Sequence, residues 1–235
     1  MRKGIFIIAA LIILIIILYR YGRSIYMPIV NNISEKETIQ SIQDRFSEDI
    51  FKRLQNDLSS IGLNSLPNNI SILAFKEEMI LEIWTEVDGQ NKLLKSYPFS
   101  ATSGTIGPKL KEGDKQIPEG IYKIEYLNPN SSYYLSLKVN YPNAFDQEKA
   151  IADGRTDIGS DIFIHGKNVT VGCIPLGDSA IEELFILAST VKDKNIDVII
   201  SPKDFRKDKN LPKITSVEWS EELYANISKS LKVYK

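Results

Sequence analysis

The sequence predicts a mainly β domain with packed helices, preceded by an N-terminal apolar segment and an amphipathic helix. Three observations carry that expectation. Residues 70–140 fall into short runs of β-prone and alternating side chains parted by turn residues. Two flanking stretches repeat apolar residues every three or four positions, the helical period. Ahead of them stands GIFIIAALIILIIIL, a run without a single charge.

That run follows Arg2 and Lys3 and ends before Arg20. Its length fits a secretory h-region or a short membrane anchor. The residues after it, YRYGRSIYMPIV, offer no small-residue cleavage site, so residues 1–23 are expected to remain as an uncleaved anchor. A run with no polar face is a poor core helix. Basic residues flank both ends, Arg2 and Lys3 against Arg20 and Arg23, which leaves the orientation open. Residues 24–34 read as a linker.

Residues 35–62 form the amphipathic helix. Ser34 and Glu37 have capping-box spacing, and Ile39, Ile42, Phe46, Ile50, Leu54, Leu58 and Ile61 make one stripe ending near Gly62. Such a stripe packs on the domain that follows or leads into it. No sustained heptad with opposed charges supports an oligomeric stalk.

Residues 63–235 then make the domain. ISILAFK and MILEIWTEV read as a hairpin turning at Glu77-Glu78, followed by KLLKSYPFSA, IYKIEYL and YYLSLKVNY as further strands. TSGTIGPKLKEGDKQIPEG is turn-rich and reads as a long surface loop, of a length that tends to be functional. YPNAFDQEKAIADGRTDIGS is a second long connection. DIFIH alternates, with Phe163 and His165 on one face, and NVTVGCI reads as a short strand. Asp178 or Ser179 caps a helix whose stripe is Ile181, Leu184, Phe185, Ala188 and Val191. NIDVIIS is a strand, and a last helix at 217–232 places Trp219, Leu223, Ile227 and Leu231 on one side.

Composition narrows the chemistry. The chain carries 29 basic and 30 acidic residues with no basic block, which argues against a nucleic-acid partner. One His and one Cys cannot build a four-ligand Cys/His zinc site. If the chain is exported, a lone Cys has no intramolecular disulfide to make and reads as a reactive thiol or an intermolecular partner. His165 and Cys173 stand eight residues apart, each beside a glycine. An imidazole can take the thiol proton and make a nucleophile. Gly172 allows a tight turn that aims amides near Cys173 at an oxyanion, Gly166 leaves space for substrate beside the imidazole, and a backbone carbonyl can orient its other nitrogen. The residue types also fit a small buried Cys and a hydrogen-bonded strand His.

IHGKNVTVGC resembles the catalytic motif of the L,D-transpeptidase (YkuD-type) domain, in which His-Gly is followed by Ser/Thr-x-Gly-Cys; here these are His165-Gly166 and Thr170-Val171-Gly172-Cys173. SGTIGPKLKEGDKQIPEGIY, LSLKVNYPNAFD and GCIPLGDSAIEELF are similar to the signature of the YafK-like branch, so the likeness runs from about residue 38 to the C-terminus. The resemblance implies an L,D-transpeptidase-like β fold and work on peptidoglycan in the cell envelope. It implies that Cys173 attacks the carbonyl at the L-centre of meso-diaminopimelate in a stem peptide, with His165 as general base and then acid. A thioester would pass to an amine or to water, as in transfer between stem peptides or release of a wall-attached lipoprotein. The backbone N–H groups of Gly172 and Cys173 would hold the oxyanion, and no cofactor or metal is required. Among substrate-binding positions, the resemblance points to Lys109, Tyr141 and Asn143, with Thr170 positioning the cysteine loop. Turn geometry accounts equally for the Gly and Pro residues of that signature. The family's usual motif reads Ser-His-Gly-Cys-x-Arg; Val171 and Pro175 stand at the second His and the Arg. These departures also fit a wall-binding module that has lost its chemistry.

Overall fold

The computed structural model describes residues 2–22, 26–27, 35–192 and 195–235, with side chains in α1 (Arg2–Tyr21) at residues 6, 8–15, 17 and 18. The alternating segments become β1 (Ser71–Phe75), β2 (Ile80–Val87), β3 (Gln90–Pro98), β4 (Gly120–Ser131) and β5 (Tyr134–Val139). After the second connection come β6 (Phe163–His165), β7 (Ile174–Pro175) and β8 (Asp197–Ser201). Together they make one eight-stranded sheet in the order β3-β2-β1-β8-β4-β5-β6-β7. The sheet is mixed: β1–β8 and β6–β7 are parallel, and the other neighbours are antiparallel.

β4 joins two halves. Its Gly120–Lys123 portion pairs with β8 and its Ile124–Ser131 portion with β5, with a bulge between Ile124 and Tyr126. A bulge bends a strand and sharpens its twist. The β5-β6-β7 edge, where His165 lies, is thereby turned relative to the central strands.

Both faces are covered by helices. On one face lie α2 (Ile39–Ser60) and α4 (Asp178–Thr190); on the other lies α5 (Ser220–Leu231). In α2 the stripe Ile42, Ile50, Leu54 and Leu58 is buried, as the spacing predicts. Each such side chain contributes on the order of 2 kcal/mol, so α2 is part of the domain and not a stalk. α4 is buried nearly all round, from Ile181 through Ala188, because α2 covers the side that the sheet does not. Glu183 is tolerated there because Arg53 of α2 and Lys95 and Tyr97 of β3 all reach its carboxylate.

Several boundaries differ from the expectation. α2 begins one turn later than Ser34 suggests: Thr38 is its N-cap and exchanges a capping box with Ser41, while Ser34 lies outside the described residues. Gly177, not Asp178 or Ser179, precedes α4, because the Asp178 carboxylate accepts the Lys167 N–H instead. The second connection contains a helix, α3 (Ala144–Ala152), started by an Asn143–Asp146 capping box. Of NVTVGCI only Ile174 pairs as a strand, at the start of β7. The expected linker, residues 24–34, lies outside the described residues apart from 26 and 27. Among the described residues no helix is long and apolar enough to cross a membrane. The described structure therefore does not support the anchor expected at 1–23, although Phe6, Ile8, Ile15 and Ile17 of α1 stand exposed.

The turn-rich loop is pinned from beneath. Glu119, 1% exposed, accepts from Lys76 Nζ at 2.8 Å, from the Gly107 N–H at 2.8 Å and from the Tyr224 hydroxyl at 2.8 Å. Lys76 Nζ also donates to the carbonyls of Gly107 and Ile117, at 3.1 and 3.0 Å. Removing one partner of a buried pair strands the other charge and costs about 3 kcal/mol or more. Glu119→Ala is expected to lower unfolding stability in urea by roughly that amount, with Glu119→Gln recovering part of it through its amide oxygen. A loss below about 0.5 kcal/mol, the range of an inert surface change, would show that the pin is not structural.

Candidate active site

His165 ends β6, directly opposite Ser136 of β5 and in register with Pro175 of β7. Extending the parallel register by one residue sets Cys173 beside Phe163. Alternation then puts Cys173, Phe163 and His165 on one face of the sheet. His165 thus ends β6 while Cys173 stands just before β7, two register steps away.

The imidazole is 2% exposed and sits against the Tyr133 ring, centroids 4.8 Å apart. Its Nδ1 lies 2.5 Å from the Gly166 carbonyl oxygen. A carbonyl only accepts, so Nδ1 carries the proton and Nε2 keeps its lone pair. The expected orientation by a backbone carbonyl is therefore present. Among the described residues no hydrogen bond to Nε2 is seen, and the buried side-chain polar atom without a partner is Ser136 Oγ. Burial pushes the imidazole below its ordinary 6.5, against the pull of the Gly166 carbonyl.

Cys173 is partly exposed, and its Sγ–H points at the Asp161 carbonyl oxygen, 3.7 Å away. Burial pushes the thiol above its ordinary 9.0, opposed by a backbone hydrogen bond from Phe163 and by the positive charge of Lys138. No hydrogen bond joins Sγ to the His165 ring. The resting pair is therefore neutral thiol and neutral imidazole, not thiolate and imidazolium.

The loop before the cysteine is fixed by three contacts. Thr170 Oγ1 donates to the Cys173 carbonyl at 2.6 Å. Gly172 adopts φ +108°, and a Cβ there would stand 3.0 Å from the Gln116 carbonyl oxygen. Only glycine fits such a backbone and such an approach. The Gly172 N–H donates to Ser103 Oγ at 2.8 Å.

That last bond revises one expectation, since the Gly172 amide is already engaged and not free for an oxyanion. Among the described residues no side-chain acceptor is seen on the Cys173 N–H. Ser103 was not singled out from sequence; its only signal is a place in a turn-rich segment 70 residues before the cysteine.

The other expected substrate contacts are engaged inside the fold. A Cβ at Gly166 would meet Asp178 Oδ1 and the Tyr133 carbonyl oxygen, each at 2.9 Å. Gly166 thus makes room for its neighbours and not for a substrate. Lys109 is buried, with Nζ on Asp114 Oδ1 at 2.7 Å and on the Lys111 carbonyl at 2.9 Å. Tyr141 is 3% exposed and donates its hydroxyl to the Ile158 carbonyl at 2.8 Å, holding the loop before β6. Asn143 caps α3 and donates to the Ile121 carbonyl.

Beyond the cysteine loop lies a groove of about 610 Å³, lined by residues that include Lys111, Asp114, Gln116, Arg155 and Asp157. Gln116 is shared between this groove and the backbone against which Gly172 packs. Among the described residues no group of three or more His, Cys, Asp or Glu side chains could hold a metal ion.

The profile of the YkuD L,D-transpeptidase catalytic domain matches residues 76–200, which hold both His165 and Cys173. YafK of Escherichia coli (strain K12), whose name assigns it an L,D-transpeptidase role provisionally, is 35% identical over 118 residues, or 49% of this chain. The match spans about half of that relative, 46% of its length. The helical cell shape determining protein Pgp2 from Campylobacter jejuni is 22% identical over 77% of each chain, with a TM-score of 0.47. Bd1075 from Bdellovibrio bacteriovorus is 24% identical over 60% of this chain and 52% of its own, with a TM-score of 0.44.

Two titrations test the neutral pair. The chain has one histidine, so its imidazole resonances are unambiguous; they are expected to titrate below pH 6.5. Since the unfolded imidazole binds its proton first, stability rises with pH between the folded pKa and 6.5. Alkylation of Cys173 by iodoacetamide is expected to be slow at neutral pH and to climb only above pH 9. A thiol that titrates between about pH 5 and 7 would instead show a preformed ion pair.

Proposed function

The chain belongs to the L,D-transpeptidase (YkuD) catalytic-domain family, and on that footing we propose that it carries out acyl transfer on peptidoglycan stem peptides through a thioester at Cys173. The observation that carries this reading is the His165 tautomer. With Nδ1–H fixed on Gly166, Nε2 is the basic atom, on the sheet face shared with Cys173.

Because burial keeps both groups neutral, the proton leaves sulfur as the new bond forms. Sγ attacks the carbonyl at the L-centre of meso-diaminopimelate, and His165 Nε2 takes the thiol proton. The tetrahedral oxyanion faces the Cys173 N–H, with the Ser103 hydroxyl as a second donor. Collapse expels the leaving amine, protonated by His165, and leaves the acyl group on sulfur. An amine of a second stem peptide, or water, then takes that acyl group; a wall-attached lipoprotein is a further candidate partner. The groove at Gln116 is the path we assign to the peptide chain.

Such substrates place the domain in the cell envelope. For attachment to a membrane through residues 1–23 the support is the sequence alone, in the uncharged run at 4–18.

Incubation with a stem peptide is expected to leave an acyl adduct on Cys173 in intact-mass spectra. Cys173→Ala should abolish it, and His165→Gln should slow its formation by about 100-fold or more, the usual contribution of a general base. Digests of treated cell wall distinguish the acceptors: new stem-peptide dimers report transfer, and freed amines without dimers report hydrolysis. A wild-type protein that never acquires the adduct while still binding cell wall would be a binding module, and the acyl-transfer reading would fail.

A further inference from the structure

β5 sends Leu135, Leu137 and Val139 into the core, so Ser136 and Lys138 point to the other face. Across the ladder they meet His165 and Phe163, respectively. Both are buried, Ser136 at 1% exposure and Lys138 at 7%. Ser136 Oγ has no hydrogen-bond partner. Lys138 Nζ lies 4.9 Å over the Phe163 ring and 2.5 Å from Asp161 Oδ1.

This ion pair is lopsided. The Lys138 side chain is 8% exposed, whereas that of Asp161 is 78% exposed. A carboxylate in water gains little from an ion pair, while a buried ammonium depends on one. The cation is thus built into the fold, and its partner is replaceable. Asp161 stands at φ +59°, and its own carbonyl takes the Cys173 S–H at 3.7 Å. One residue therefore covers both the buried cation and the thiol proton.

We propose that Lys138 is the carboxylate-binding residue of the acyl-donor subsite and that Asp161 is a built-in stand-in for the substrate's carboxylate. A carboxylate on the incoming peptide displaces Asp161 from Lys138 and draws the Asp161 carbonyl away from the thiol. The S–H proton is then free to pass to His165 Nε2 as sulfur bonds to the acyl carbon. The inference rests on the Cys173 acyl-transfer reading and adds a requirement to it: the donor carries a free carboxylate on the side chain of the diaminopimelate whose amide is cut. Lys138 also places its positive charge where sulfur turns negative.

Binding separates this inference from the chemistry it serves. In Cys173→Ala protein, titration calorimetry would compare a stem peptide bearing a free carboxylate on its diaminopimelate side chain with the same peptide amidated there. The carboxylate form is expected to bind about 10- to 100-fold more tightly, the range of a charge-assisted hydrogen bond. Adding Lys138→Met should erase the preference, and Lys138→Arg should keep most of it. Asp161→Asn, which removes the competing anion, should tighten binding of the carboxylate form alone and, with Cys173 restored, speed its alkylation. Equal binding of the two peptides by the Cys173→Ala protein overturns the proposal, even if wild type forms the thioester. A preserved preference in Lys138→Met also overturns it. Should Lys138→Met not fold, Asp161→Asn decides, since unchanged affinity for the carboxylate peptide would be fatal.

Discussion

The buried ion pair between Lys76 and Glu119 is the constraint from which the candidate active site follows. Lys76 stands just after β1 and Glu119 just before β4, so the pair joins two strands separated in the sheet by β8. Through Gly107 and Ile117 it also closes the base of the turn-rich loop, and through Tyr224 it ties that loop to α5. Ser103 and Gln116 flank this pinned base, and these are the residues that hold Gly172 in place. The position of the cysteine loop is therefore inherited from a salt bridge deep in the fold. Desolvation makes such a pair a weak source of net stability, but its directional bonds select one loop conformation over many.

The electrostatics of the site are consistent with that arrangement. A preformed thiolate would need a strong counter-charge at sulfur, and what acts on Cys173 is burial, a backbone hydrogen bond from Phe163 and a Lys138 already shared with Asp161. Keeping both reacting groups neutral avoids a buried ion pair in the resting domain. It also makes proton transfer part of the chemical step, where orientation of the imidazole counts for most. The short Nδ1–Gly166 bond and the Tyr133 ring packed on His165 supply that orientation.

Elements with strong periodicity were legible in the sequence. The α2 stripe, the β1–β2 hairpin, the β6 alternation and the α5 face all follow from spacing that tertiary packing reinforces. What escaped depended on contacts distant in sequence or on competing local bonds. Asp178 does not cap α4 because the Lys167 amide claims its carboxylate, a choice made by the fold around Gly166. α3 was hidden in a connection rich in polar residues, although the Asn143–Asp146 capping pair was present to be read. Lys109 carries a charge that suggests substrate contact in one dimension; in three dimensions it is buried and paired with Asp114. His165 and Cys173 stand out in the sequence because a lone imidazole and a lone thiol occur so close together. Ser103, Lys138 and Asp161 do not, because serine, lysine and aspartate are common surface residues, and only burial and register single them out.

The location of the reactive residues at the sheet's edge follows from the demands of the chemistry. In the middle of the sheet, β1 and β8 are covered on both faces, and a thiol there would be sealed. At the margin, β6 spans three residues and β7 two, so the ladder gives out just where Cys173 begins. The backbone around the cysteine must then be satisfied by other means, which Thr170, Ser103 and the Ser100 N–H to Pro175 carbonyl bond provide. Side-chain tethers of this kind hold a loop without covering it. That combination lets the sulfur remain reachable while its amide keeps a fixed direction. The bulge in β4 completes the arrangement by bending the strand that joins this edge to the central strands.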